Sequence, residues 1–372
     1  MSLVQRLPAS LTPLDVALAT LLRGLEPVTV VELPLTEALG CVTAELPPLK
    51  AYPPHDVAAA DGWALRTRDL VGASSYTPVP LTMPAVWVEA NDRMPNGSDC
   101  VVDADSVDQS GPILKALAEA IPGQGVRRMG SDLADRAAIA PGAPIRPLDT
   151  LVARVAGLEM MRVRRPRLHV VNVPATDGEM TTTQLIQQGA REAGAEVLFA
   201  EAASRDVASI ADALEDAPCD LLISVGGSGV GRRDATIVAL AQRGEVIAHG
   251  IALRPGGTSA IGRIGNTPVI AVPGSVDHAL AAWWTLGLPA LDRLSGRQPR
   301  GTTVLPLAHK IASTVGIAEI ALLGRKDGSW EPLALGDLPC LAIASAAAWL
   351  MVPAASEGFA AGMPVAAYML RE

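Results

Sequence analysis

The sequence predicts a multidomain α/β protein: a doubly wound, mostly parallel sheet, with β modules and a mixed N-terminal segment, in an elongated chain. Three observations support this fold class. Residues 167–295 alternate short apolar runs with helical patterns, as βαβ units do. The regions on either side contain short apolar runs between proline and glycine residues, which is typical of small β domains. A chain of 372 residues is long enough for several domains.

The first helix is predicted to begin at Thr12, Pro13 and Asp15. Thr12 suits the N-cap, Pro13 the first turn, and Asp15 the positive end of the helix dipole. Four domains are expected: a mixed α segment at 1–42 with 141–166, a small β domain at 43–140, an α/β domain at 167–299, and a C-terminal β-barrel domain at 300–372.

Within the α/β domain, strands and helices are predicted in regular alternation. The strands are expected at 167–173, 195–200, 220–225, 246–253 and 268–272, and the helices at 180–193, 206–214, 237–240 and 276–294. Ser204 is expected to cap the second of these helices. Because ligands of such sheets bind at the carboxyl ends of the strands, the loops 226–234, 254–257 and 273–275 are the candidate site.

The glycine-rich loop at 226–234 is the most informative motif of the chain. It reads Gly-Gly-Ser-Gly-Val-Gly-Arg-Arg-Asp, after an apolar run and before a helical segment that Asp234 would cap. A strand, a glycine turn and a helix start hold anions, most often phosphate, through backbone N–H groups and the helix dipole. A glycine turn that only lets a helix pack on a sheet remains an alternative.

The spacing of the loop excludes two common phosphate motifs. Gly226 and Gly231 have the Walker A spacing, but Arg232 and Arg233 follow where that motif needs lysine and a hydroxyl residue. Gly227, Gly229 and Gly231 give G-x-G-x-G, whereas a dinucleotide fingerprint requires G-x-G-x-x-G.

Composition and charge narrow the class of protein further. A formal charge of −9 without a Lys/Arg run argues against nucleic-acid binding. The four cysteines are far apart and are expected to be reduced thiols, and the five histidines have no metal-ligand spacing. Residues 1–10 lack the apolar region of a signal peptide. The uncharged run 340–352 is too short to span a bilayer and is expected to be buried structure in a β domain, so we expect a soluble, cytoplasmic protein.

Five motifs in order resemble the molybdopterin molybdenumtransferase family, which includes MoeA and the gephyrin E domain. The resemblance covers nearly the whole chain. The motifs are Asp56 with Asp61-Gly62-Trp63-Ala64-Leu65, the segment Arg127-Arg128-Met129-Gly130-Ser131-Asp132-Leu133, the loop 226–234, Arg254-Pro255-Gly256, and Pro273-Gly274.

This resemblance implies a reaction and a set of site residues. The implied substrates are molybdopterin or its adenylate and molybdate, with Mg²⁺ as a cofactor. The implied catalytic residues are Asp56, Asp61, Asp132, Asp234 and Arg254, with Asp56 and Asp61 as metal ligands. The implied molybdopterin-binding residues are Gly226, Gly227, Ser228, Gly229, Gly231, Pro255, Gly256, Pro273 and Gly274. The resemblance also implies a homodimer that shares the site across its two-fold axis.

Several positions depart from the family pattern. Arg254 stands where the family has the first lysine of Lys-Pro-Gly-Lys-Pro, and Gly257 stands where it has the second. Pro273-Gly274 is followed by Ser275 and Val276 rather than by Asn-Pro. The acidic segment at 176–180, which contains Glu179, is shortened. Because a lysine at an oxyanion site supplies a point charge that other side chains do not simply replace, catalysis becomes an open question.

Three functions follow from these observations. The first is molybdenum insertion into molybdopterin by a diverged enzyme. The second is a non-catalytic relative that binds molybdopterin or the finished cofactor and delivers it to a client molybdoenzyme. The third is a phosphate- or nucleotide-handling α/β enzyme outside cofactor synthesis, since a fold does not determine a function.

Overall fold

The computed structural model describes residues 5–45, 49–134, 139–175, 178–215 and 218–371. The chain divides into two compact units. Unit 1 consists of Met1–Glu45, Pro141–Arg146 and Arg162–Glu372, and unit 2 of Leu46–Ala140 and Pro147–Met161.

The elements up to residue 164 are short. In chain order they are β1 (Thr12–Pro13), α1 (Leu14–Leu22), β2 (Val31–Pro34), β3 (Val42–Glu45), β4 (Val57–Ala58), β5 (Gly62–Leu65), β6 (Val79–Pro80), β7 (Val86–Val88), β8 (Cys100–Val102), β9 (Val107–Asp108), β10 (Lys115–Ala116), β11 (Val126–Arg127), α2 (Pro147–Val155) and β12 (Met160–Arg164).

The elements after residue 166 are longer and begin with alternating strands and helices. They are β13 (Arg167–Asn172), α3 (Thr181–Glu192), β14 (Glu196–Glu201), α4 (Val207–Ala213), β15 (Leu221–Val225), α5 (Thr236–Arg243), β16 (Glu245–His249), β17 (Ile251–Arg254), β18 (Ala260–Ile264), β19 (Thr267–Val272), α6 (Val276–Ala282), a π-helical turn (Trp283–Gly287), α7 (Leu288–Ser295), β20 (Thr303–Pro306), β21 (Ile311–Ala312), β22 (Ala318–Lys326), β23 (Ser329–Leu335), α8 (Cys340–Ser345), β24 (Ala348–Val352), β25 (Gly358–Phe359) and β26 (Pro364–Met369).

The predicted doubly wound sheet is confirmed in unit 1. Its strand order is β14-β13-β15-β19-β18-β16; the first three pairings are parallel and the last two antiparallel. Successive side chains of β15 point to opposite faces: Leu221 and Ile223 belong to one buried cluster and Leu222 to another. The first cluster includes residues of α1, α3, α6 and α7, and the second residues of α4 and α5, so helices cover both faces.

One predicted strand of this region is two strands in different sheets. Residues 246–253 were expected to be continuous, but Gly250, with φ +86°, separates β16 from β17. Beyond that turn β17 leaves the α/β sheet and pairs with β22 in parallel, while β1 pairs with its other edge. Strand β18 has no counterpart in the prediction.

Two predicted helix caps are wrong. Thr12 belongs to β1, paired with Ile251, and α1 follows with Pro13 at its N-cap position. At α4 the cap is Asp206 instead of Ser204, because the Asp206 carboxylate accepts the N–H of Ser209. Ser204 supports this cap through a hydrogen bond from its hydroxyl to the Asp206 carboxylate.

The C-terminal strands form the larger part of a seven-stranded sheet in the order β1-β17-β22-β24-β26-β20, with β23 paired to β22. Trp330 of β23 is fully buried in the hydrophobic cluster that packs on this sheet. The predicted buried run at 340–352 is buried only in part, because α8 has no buried residue and β24 follows it. Trp284 is buried and stacks on Trp349 with the ring centroids 5.2 Å apart.

Unit 2 contains small sheets, as the punctuated sequence predicts. They are β6-β10-β9, β7-β5-β8 and the pair β11-β4. Cys41 in unit 1 and Cys100 in unit 2 are buried thiols, and all four cysteines are free. Within the part of the chain that the structure describes, no helix is both long and apolar enough to cross a membrane.

Burial of His169 predicts a pH dependence of stability. His169 lies in β13, is 5% exposed, and its Nδ1 has no hydrogen-bond partner among the described residues. Burial lowers the pKa of His169, so protonation favours the unfolded chain, whose histidine pKa is about 6.5. We expect the free energy of unfolding to fall as the pH drops below about 6.5, as urea denaturation at several pH values would measure.

Two substitutions test the assignment of this pH dependence to His169. In His169→Leu the slope below neutral pH should flatten, because the buried titrating group is gone. The control His309→Leu changes an imidazole whose side chain is 74% exposed and should retain the slope. An unchanged slope in His169→Leu would contradict the assignment.

Candidate functional site: a cleft at the carboxyl ends of the parallel strands

A cleft of about 410 Å³ lies in unit 1 at the carboxyl ends of β13, β15 and β19. Strand register brings these ends together, since Asn172 pairs with Val225 and Val225 with Val272. The cleft is lined by Asn172, Val173, Ala175, Glu179, Thr181, Thr182, Thr183, Arg205, Val225, Gly226, Gly227, Gly229, Asp234, Thr258, Pro273, Gly274, Ser275 and Val276. The cleft therefore lies at the strand ends where the sequence predicts the site.

The glycine loop forms one wall of the cleft through a turn that needs glycine. Gly226 and Gly227 have φ values of +97° and +68°. A Cβ atom at Gly227 would lie 2.4 Å from the hydroxyl oxygen of Thr236. That hydroxyl donates a 2.8 Å hydrogen bond to the carbonyl oxygen of Gly226, so the loop is fastened to the first residue of α5.

Asp234 was predicted to cap the following helix, and this prediction is wrong. Helix α5 has Ala235 at its N-cap position and no side-chain cap there. Instead, the Asp234 carboxylate turns back to the loop and accepts a 2.9 Å hydrogen bond from the N–H of Gly231. Its other oxygen accepts a 2.9 Å hydrogen bond from Arg205. Asp234 therefore orders the glycine loop and presents a paired charge at the cleft.

Gln5 takes the place of the missing helix cap. Its side-chain oxygen accepts the N–H of Ile237 at 2.7 Å. Its amide nitrogen donates to the carbonyl oxygens of Gly227 at 3.0 Å and Gly229 at 2.6 Å. Gln5 was not among the predicted site residues, because a single glutamine more than 200 residues away carries no local signal for this contact.

We expect Gln5→Ala to destabilise the protein by about 2–4 kcal/mol, because it removes three hydrogen bonds and leaves buried backbone groups unpaired. Chemical denaturation would measure this loss. The matched control is Arg6→Ala, which truncates the exposed neighbour of Gln5 and should change stability little. Equal stability of the two variants would show that the contacts of Gln5 do not hold the loop.

The base of the cleft is a polar network that the sequence did not indicate. Thr183 donates a 2.6 Å hydrogen bond to the Asn172 side-chain oxygen, and the Asn172 amide donates to Glu201 at 2.9 Å. Thr182 donates to the carbonyl oxygen of Gly274 at 2.7 Å, which ties the start of α3 to the third predicted loop. These contacts fix the backbone that a ligand would meet.

The other predicted cleft residues divide into two groups. Pro273 and Gly274 line the cleft, while Ser228 is fully buried beneath the loop, with no described hydrogen-bond partner for its hydroxyl. Arg254, Pro255 and Gly256 are not among the lining residues, although Thr258 of the same loop is.

Arg254 is directed toward the C-terminal strands. Its guanidinium lies 3.4 Å from a carboxylate oxygen of Glu319, whose side chain is only 4% exposed. A role of Arg254 in ligand binding stays a prediction.

Only part of the shortened acidic segment at 176–180 is among the described residues. Thr176 and Asp177 are outside the described residues. Glu179 lines the cleft and accepts a 3.1 Å hydrogen bond from the hydroxyl of Thr181. A carboxylate is therefore present at the cleft beside the first turn of α3.

Unit 2 brings the first two predicted motifs together. Strand β4 pairs with β11, which places Val57 opposite Arg127, and the Asp56 carboxylate accepts the N–H of Met129 at 2.7 Å. The Asp132 carboxylate is paired with the guanidinium of Arg127. Both aspartates thus hold the geometry of one loop cluster.

Asp61 makes its contact elsewhere in unit 2. Its carboxylate accepts a 2.8 Å hydrogen bond from the N–H of Ala90. Across the described residues, no group of three or more His, Cys, Asp or Glu side chains could hold a metal ion.

The fold and the cleft together define an α/β ligand-binding protein whose glycine turn, hydroxyl groups and helix starts converge at the carboxyl edge of the sheet. Two family models match the chain. The "MoeA N-terminal region (domain I and II)" matches residues 12–157, and the "Probable molybdopterin binding domain" matches residues 169–293. The chain belongs to the MoeA family, as the motif order predicted.

Individual relatives and a solved structure agree with this family. The chain is 28% identical over 323 residues to Molybdopterin molybdenumtransferase 2 of Mycobacterium tuberculosis, covering 75% of this chain and 78% of that protein. It is 26% identical over 295 residues to Molybdopterin molybdenumtransferase of Haemophilus influenzae, covering 71% and 72%. The fold is similar to the molybdopterin biosynthesis MoeA protein of Pyrococcus horikosii, with TM-score 0.72, 24% identity, and coverage of 98% and 100%.

Proposed function

We propose that the protein acts in molybdenum cofactor biosynthesis as a molybdopterin molybdenumtransferase, with molybdopterin and molybdate as substrates. The observation that carries this proposal is the cleft itself, which lies within the matched molybdopterin-binding region and includes the glycine loop and Pro273-Gly274. An adenylated form of molybdopterin is the finer part of the proposal, because a diphosphate group suits a turn that ends at a helix start.

Each part of the cleft has a distinct task in this proposal. Backbone N–H groups of the glycine loop bind the phosphate of the pterin substrate. The start of α6 at Ser275 and Val276 contributes a second set of N–H groups with partial positive charge. Asp234 and Arg205 hold the loop in position and neutralise one another until substrate binds. The hydroxyls of Thr181 and Thr258 are available to orient polar atoms of the substrate.

A second function, a relative that binds molybdopterin and delivers it to a client enzyme, is favoured by one specific observation. Gly257 stands where the family pattern has its second lysine, so a cation for the molybdate oxyanion is missing at this position. In this second function, molybdopterin binding persists without that cation, while insertion from molybdate is expected to require it. The third alternative, an enzyme outside cofactor synthesis, receives no support from the matches.

Direct assay of insertion separates the two functions. The purified protein is loaded with molybdopterin adenylate and molybdate, and molybdenum bound in the organic product is measured by mass spectrometry of the metal. Product formation supports the enzyme. Binding of molybdopterin without product supports the carrier, and absence of both overturns the proposal for this cleft.

Mg²⁺, a homodimer and a cytoplasmic location remain predictions of the family resemblance and the composition. The assay with and without added Mg²⁺ tests the first. Sedimentation velocity tests the second, and a stable monomer at micromolar concentration would contradict it.

A further inference from the structure

A second cavity, of about 950 Å³, lies in unit 1 beside the end of α7. It shares no lining residue with the cleft at the glycine loop. Its lining includes the apolar side chains of Trp284, Trp349 and Met369 and the charged side chains of Arg297, Arg300 and Asp292. We call this the arginine cavity.

Arg297 is a mostly buried cation whose ion pair with Asp292 is long. Its side chain is 17% exposed, and the nearest carboxylate oxygen, on Asp292, is 3.9 Å from its Nε. Its guanidinium makes no hydrogen bond to any side chain or carbonyl in the described ranges. An arginine carries five N–H donors and stays charged, so burial without hydrogen bonds is costly.

Asp292 cannot supply the missing contact, because Arg300 already occupies it. The guanidinium of Arg300 makes two hydrogen bonds of 2.7 Å to the two Asp292 oxygens. Two cations therefore share one carboxylate at the wall of the cavity. Burial, and next the charge of Arg300, lower the pKa of Arg297, and the charge of Asp292 opposes this shift only in part.

We propose that the arginine cavity binds the phosphate group of a small molecule, with Arg297 and Arg300 as its contacts. The planar fork of Arg297 suits the oxygens of a phosphate, and Nη1 of Arg300 is left for a second contact, because its Nε and Nη2 bind Asp292. The cavity is larger than one phosphate, and its apolar side leaves room for the remainder of a phosphorylated compound. This site goes beyond the proposed function, because it is separate from the molybdopterin cleft.

The test uses inorganic phosphate, pyrophosphate and glycerol phosphate as probes, titrated calorimetrically into the full-length protein at constant ionic strength. Arg297→Gln should raise the dissociation constant at least tenfold, because it removes one of the two positive charges that share Asp292 but keeps hydrogen-bonding groups. The matched control is Arg293→Gln. Arg293 also lines the cavity, but its guanidinium is directed to the carbonyl oxygen of Leu25 and to Glu26, so binding should persist.

Repeating the titration in a Gly229→Val background separates this site from the cleft, since the arginine cavity should still bind phosphate there. If glycerol phosphate binds more tightly than inorganic phosphate, the ligand of the cavity is a phosphorylated compound. If inorganic phosphate binds more tightly, the ligand is a free phosphate ion. Equal binding by the wild type and Arg297→Gln, or no binding by the folded wild type, would overturn the proposal. Circular dichroism of each variant confirms that loss of binding is not loss of folding.

Discussion

Gly229→Val should abolish molybdopterin binding, because the new side chain would displace Asp234. A Cβ atom at Gly229 would lie 2.6 Å from the Asp234 carboxylate oxygen that accepts the Gly231 N–H. Displacing this carboxylate also breaks its hydrogen bond with Arg205, so the loop can no longer bind the phosphate. We expect a loss of affinity of at least a hundredfold, roughly two hydrogen bonds of the charged kind, measured by fluorescence titration with the pterin.

The control for this substitution is Val230→Ala in the same loop. Val230 is 47% exposed and none of the contacts that hold the loop uses its side chain, so affinity should change little. Wild-type affinity in Gly229→Val would place the pterin outside this cleft.

Gly257→Lys should raise the rate of molybdenum insertion by about tenfold to a hundredfold, if the missing cation limits the reaction. The structure has room for a Cβ atom at this position. A Cβ atom at Gly257 would have its nearest neighbours at 3.4 Å and 3.7 Å, the carbonyl oxygens of Leu253 and Ile251, which are ordinary contacts. The next residue, Thr258, lines the cleft, so a lysine here is within reach of a bound oxyanion.

Gly257→Gln is the matched control, because it adds a long polar side chain without the charge. It should leave the insertion rate near that of the wild type, while Gly257→Lys increases kcat/KM and lowers the molybdate concentration required. Rapid insertion by the unaltered protein at low molybdate would instead show that Gly257 does not limit catalysis.

Local patterns predicted most of the α/β architecture. The apolar run at Leu221–Val225, the glycine turn and the helix after it lie close together in sequence, so spacing alone reveals them. The cleft at the strand ends then follows from the parallel order of the strands. The Asp56 and Asp132 motifs were identified from the family resemblance, and the pairing of β4 with β11 brings them close together.

The features that were missed depend on distant contacts. Asp234 has the local signature of a helix cap, but Gln5 supplies that hydrogen bond from the other end of the chain, and Asp234 is left to bind the loop. The separation of β16 from β17 at Gly250 also depends on a distant contact. Whether an apolar run continues in one sheet or enters another depends on its partner strand, here β22, which lies more than sixty residues later.

The passage of β17 out of the α/β sheet has a practical consequence for dividing the chain. Residues 251–254 are covered on one edge by β22, and Arg254 lies against the buried carboxylate of Glu319. A truncated form that ends near residue 300 would expose this strand edge in the middle of the remaining fragment. The matched molybdopterin-binding region at 169–293 contains a strand edge that the C-terminal strands cover, so we expect ligand studies to need those strands attached.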